Sequence, residues 1–132
     1  MSDPTQKGKI QSVLGLIDPA DLGLTMTHEH LLIDFSVMFN PSPDVTTQRM
    51  AHAPVSMENL GWIRQYCYSN LDNLLVLDED TAIEEAMLYQ RHGGGTIVDA
   101  TTVGIGRDPL ALARISRGAG LHVVMGAGYY VD

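Results

Sequence analysis

From residue 78 to residue 128 the sequence alternates helix and strand signals, and that alternation limits the architectures open to the chain. Residues 78–92 (DEDTAIEEAMLYQRH) put Ile83, Ala86, Met87 and Gln90 at helical spacing. Thr81 through Glu84 has the form of a capping box, with acidic residues before it and Arg91 and His92 at the far end. Gly93-Gly94-Gly95 supplies a stop, and 95–102 then forms a short β-branched strand. Asp108 and Pro109 predict the start of a second helix over 108–119, with Leu110, Ala113, Arg114 and Arg117 at helical spacing. Residues 120–128 predict a further strand. Strands separated by helices of this length argue for βαβ units and a parallel sheet. The apolar strands 95–102 and 120–128 fit a sheet covered on both faces.

Upstream the signals differ in kind. Residues 9–23 (KIQSVLGLIDPADLG) mix apolar residues with turn formers and predict a short hairpin-like opening. Residues 24–34 (LTMTHEHLLID) alternate with a period of two and predict the first strand. On regular alternation His28 and His30 share the face of Met26, and Glu29 points to the other side. Residues 35–77 are punctuated by Pro41, Pro43 and Pro54 and form the least regular part, with one helical stretch at 57–65.

Composition excludes several functions. With 8 basic and 16 acidic residues and a net charge of −8, the chain offers little to a nucleic acid backbone or an anionic membrane. Cys67 is the single cysteine, so no internal disulfide can form. No signal peptide or membrane span is expected, and a cytosolic setting follows. The 132 residues, 45% of them apolar, suit at most one globular domain.

Thr27-His28-Glu29-His30 is the sharpest chemical motif. Two imidazoles at i and i+2 on a strand leave one face about 6.5–7 Å apart at Cα. That suits two nitrogen ligands converging on one cation. Chance supplies such a pair roughly 0.2 times per chain of this composition, so position has to carry the argument. The pair lies in the C-terminal half of the strand that opens the series, where parallel barrels do their chemistry. His52, His92 and His122 have no such placement and are expected to be structural. Gly104-Ile-Gly106 and Gly126-Ala-Gly128 lack the third glycine of a dinucleotide fingerprint. Asp99, in a β-branched run, must be paired or solvated; a neighbouring threonine or a group behind the site is open as its partner, and it is not expected to be a ligand. Tyr129 and Tyr130 could line a pocket mouth or pack under a loop, and Cys67 has no histidine signature beside it.

These segments together resemble the start of the phosphotriesterase family of metal-dependent hydrolases, within the amidohydrolase superfamily. The likeness rests on the opening hairpin, on Leu24-Thr-Met-Thr-His-Glu-His-Leu31, on Gly93 through Thr102 with Gly104-Ile-Gly-Arg-Asp108, and on Gly120 through Asp132. It implies the N-terminal part of an α/β (β/α)8 TIM barrel, about three strands and two helices of a fold that takes about 250 residues. It further implies two divalent cations, zinc above all, with His28 and His30 as metal ligands. Tyr130 would contact substrate. The catalytic groups are expected on strands beyond these residues: a bridging carboxylate, further histidines and an aspartate. The implied activity is hydrolysis of small-molecule esters, lactones or N-acyl amides of the N-acetyltaurine type, with a homodimer as the full-length form. The isolated chain is expected to be catalytically silent. A non-catalytic interaction module, exposing the open edge of its third strand, is the alternative from another class. A small doubly wound nucleotide-binding domain shares the βαβ order but lacks the phosphate fingerprint.

Overall fold

The computed structural model describes residues 6–129. In chain order its strands are β1 (Ile10–Ser12), β2 (Gly15–Ile17), β3 (Leu24–Glu29), β4 (Ile33–Asp34), β5 (Leu75–Val76), β6 (Gly94–Asp99) and β7 (His122–Met125). Its α-helices are α1 (Val45–Ala51), α2 (Leu60–Gln65), α3 (Glu79–Arg91) and α4 (Pro109–Ala119). These divide into two compact units, one ending at Leu32 and resuming at Asp78, the other spanning Ile33–Leu77.

In the first unit a three-stranded sheet runs in the order β3-β6-β7, parallel throughout. Met26 lies opposite Ile97, and Thr96 and Asp99 lie opposite His122 and Met125. The helices that link these strands are closed by their own side chains. Asp78 caps α3 by accepting from the Thr81 N–H at 2.6 Å, so the helix begins one turn before the expected Thr81–Glu84 box. An aspartate three residues ahead of Thr81 satisfies the same orphan N–H, which is all a cap requires. Asp108 caps α4 with bonds to the N–H groups of Leu110 and Ala111, and Gly120 ends it in the left-handed region at φ 68°.

Ile97 and Val123 from the sheet meet Ala82 and Ala86 of α3 and Leu112, Ile115 and Ala119 of α4 in one buried cluster. The buried face of α4 is therefore Ala111, Leu112, Ile115, Ser116 and Ala119. It is not the stripe through Leu110, which is 72% exposed. Both stripes have helical spacing, but only the first unites the larger aliphatic residues in one line. At the sheet's lower end, a Cβ at Gly95 would collide with the Leu22 carbonyl. The hairpin β1–β2 pairs Ile10 with Ile17, and the Val13 N–H donates to the Val123 carbonyl at 2.9 Å, tying it to β7.

The second unit holds two short helices, α1 and α2, in the segment 35–77 that the sequence leaves least regular. Ile33 and Asp34 do not extend the first strand; they pair antiparallel with Val76 and Leu75. Asp44 caps α1, and Ala51, Ile63 and Leu74 are buried. Asn70, fully buried, donates to the Met50 and Ala53 carbonyls and accepts from the Asn73 N–H. Order here comes from such side-chain-to-backbone bonds, which leave no periodic trace in a sequence.

Candidate metal centre

β3 delivers His28-Glu29-His30 at its C-terminal end, and an irregularity in the ladder decides where they point. Between Met26 and Glu29 the register with β6 shifts: three steps along β3 match two along β6, from Ile97 to Asp99. A bulge of this kind reverses the alternation beyond it. Met26 and Glu29 consequently line the same cavity, with Leu31, Ala86, Tyr89 and Ile97 on the helix side of the sheet. His28 and His30 alternate with Glu29 and so occupy the opposite face. Regular alternation had put them on Met26's face; the bulge overturns that.

The two imidazoles stand close, with ring centroids 5.5 Å apart and planes at 71°. His28 is exposed and His30 half-buried. His30 Nδ1 lies 2.9 Å from Thr101 Oγ1. Thr101 is fully buried, and its hydroxyl donates to the Leu32 carbonyl at 3.1 Å. Asp99, also fully buried, accepts from the Leu31 N–H at 2.8 Å and from the Thr101 N–H at 2.9 Å. It does bond the neighbouring threonine, but through that residue's backbone. One carboxylate thereby clamps the chain just after His30 and just before the Thr101 side chain.

The other expected positions fall elsewhere. His92 ends α3, with Nδ1 2.7 Å from the Leu88 carbonyl. His52 packs against Phe39 in the second unit, with centroids 5.5 Å apart and planes tilted by 59°. His122 lies at the start of β7, paired with Thr96. Gly106 closes a turn over Val103–Ile105, and the Gly126 N–H donates to the Asp99 carbonyl at 2.7 Å. Tyr129 is 89% exposed, Cys67 is exposed, and Tyr130 lies outside the described residues. Thr101 and Arg107 were not singled out from the sequence. Arg107 Nη1 donates to the Gly126 carbonyl at 2.8 Å and so joins the segments that follow β6 and β7.

Two imidazoles from one strand end are the kind of donors that could hold one side of a divalent cation, and His30 is engaged with Thr101 through Nδ1. Among the described residues, no group of three or more His, Cys, Asp or Glu stands together as a complete metal site. No helix among them is long and apolar enough to cross a membrane.

Known proteins align with this arrangement over nearly its whole length. The sequence model of the Phosphotriesterase family matches residues 8–132. The N-acetyltaurine hydrolase of Salmo salar is 50% identical over 127 residues, 95% of this chain and 36% of that protein. The Homo sapiens N-acetyltaurine hydrolase is 44% identical over 126 residues, again covering 36% of its own length. Among solved structures, a resiniferatoxin-binding protein from Rhodobacter sphaeroides superposes with a TM-score of 0.91 at 45% identity, covering 95% of this chain and 35% of that one. A lactonase from Listeria monocytogenes superposes at 0.59 with 29% identity, covering 91% and 28%. The chain thus spans about a third of the length of the relatives it matches.

Proposed function

The chain belongs to the phosphotriesterase family, and from that premise we propose that it supplies the opening strands and first two metal ligands of a metal-dependent hydrolase. Its parallel β3-β6-β7 sheet matches the N-terminal part of the family's barrel. The observation that carries the reading is the His28/His30 pair at the C-terminal end of β3, on the face the bulge turns away from the helices. Relatives named N-acetyltaurine hydrolase and lactonase favour small molecules with an N-acyl amide, ester or lactone bond as substrates. Imidazole donors favour zinc. Tyr130 is the proposed substrate contact. Resemblance to the family favours a cytosolic homodimer as the full-length form.

When bound, a divalent cation polarises the scissile carbonyl or phosphoryl oxygen and acidifies a water ligand. The work of this chain's own residues is to bind and to orient. His28 and His30 would hold such a cation, while Thr101 fixes the His30 ring and Asp99 fixes the backbone on either side. A catalytic zinc takes three protein ligands and an open position, so two imidazoles do not complete a site. Assays of N-acetyltaurine, lactone and phosphotriester turnover on the purified 132-residue chain with added zinc should therefore detect none. Zinc titration should nevertheless perturb the His28 and His30 ring resonances. Metal-dependent turnover by the chain alone, or zinc binding that leaves both rings untouched, would contradict the reading.

A further inference from the structure

A neutral imidazole has one lone pair, and the nitrogen that carries hydrogen cannot ligate a cation. Which nitrogen of His30 carries it follows from its neighbour. Thr101 has a single hydroxyl hydrogen, and the Leu32 carbonyl, which can only accept, takes it at 3.1 Å. Thr101 is fully buried. Its hydroxyl oxygen therefore accepts from His30, which places the hydrogen on Nδ1 and the lone pair on Nε2. The arrangement is held from behind: Asp99 Oδ1 accepts from the Thr101 N–H and Asp99 Oδ2 from the Leu31 N–H. The Ala100 N–H donates to the Glu29 carbonyl at 2.7 Å, which fixes the approach of the two segments. We infer that Thr101, clamped by Asp99, is a positioning residue that sets His30 as the Nδ1–H tautomer and so presents Nε2 to a divalent cation.

The metal half of this inference rests on His28 and His30 being ligands; the tautomer half does not. Partners that orient a ligating histidine commonly contribute about 10–100-fold in metal affinity. The test uses the 15N ring shifts of His30 in the metal-free 132-residue chain, at a pH above the imidazole range, followed by titration with zinc chloride. The wild type should show hydrogen on Nδ1. Thr101→Val should lose that preference and bind zinc at the pair at least about 10-fold more weakly. Thr101→Ser, which keeps the hydroxyl, should restore both and serves as the readout if the valine variant does not fold. Hydrogen on Nε2 in the wild type, or a tautomer unchanged in Thr101→Val, overturns the role of Thr101. If the tautomers behave as described while zinc perturbs neither ring, the orienting role of Thr101 stands and the metal-ligand reading falls.

Discussion

Asp99 shows how a single side chain can organise this site. Both its oxygens accept from backbone N–H groups, one following His30 on β3 and one belonging to Thr101 beyond β6. Truncating it leaves the N–H of fully buried Thr101 and that of half-buried Leu31 without their partner, at about 1–3 kcal/mol for the fully buried group and less for the other. Asp99→Ala should accordingly lose at least about 1–3 kcal/mol of unfolding free energy. The urea midpoint reads this directly, and a variant with the wild-type midpoint would show that the clamp is not structural. Part of this was legible beforehand, because a carboxylate in the run Thr96-Ile97-Val98-Asp99 has to be paired. Its partners were not, since a backbone N–H on another strand has no signature in sequence. The same holds for Thr101, whose importance comes from the 2.9 Å approach of a histidine 71 residues away.

Among the elements, α3 and α4 are joined at the surface by a two-pronged ion pair. Arg114 donates through Nε and Nη2 to the two Glu79 carboxylate oxygens at 2.8 and 2.5 Å. Those hydrogen bonds hold the Glu79 carboxyl below its ordinary value. A carboxylate with a depressed folded-state pKa stabilises the fold above its unfolded pKa, and that contribution disappears as pH falls through the folded one. Wild type should thus be more stable than Glu79→Gln near neutrality, and the two should converge in acid. Denaturation curves across that range check the sign, and a gap that widens on acidification would refute it. Under the pair lies the α4 core face, where Ile115 is fully buried and Leu110 is 72% exposed. Ile115→Ala should cost about 2–5 kcal/mol, and Leu110→Ala within about 0.5 kcal/mol, as urea titration would show. The start of α4 was legible from Asp108 and Pro109, because caps are local chemistry, whereas Thr81–Glu84 mimics a cap one turn inside α3 and the bond is made by Asp78. The face of the histidines was not legible. It depends on a bulge in β3, and nothing in Thr25-Met26-Thr27 announces one.

For the whole molecule, the order of strands and helices decides the architecture. Strand, helix, strand, helix, strand with apolar second and third strands gives a parallel β3-β6-β7 sheet, and this much follows from periodicity. The unit over Ile33–Leu77 was the poorly legible part. Its helices α1 and α2 run only 7 and 6 residues, too short for a periodic signal, and Asn59 and Asn70 order it through bonds to backbone groups. What this chain contributes to a complete barrel can be measured in a chimera. These 132 residues would replace the corresponding segment of the Salmo salar N-acetyltaurine hydrolase, and metal content and N-acetyltaurine hydrolysis would be measured with and without His28→Asn and His30→Asn. The chimera should be hydrolytically active and should lose both bound metal and turnover when either histidine is replaced. Full turnover and full metal content in the two histidine variants would contradict this.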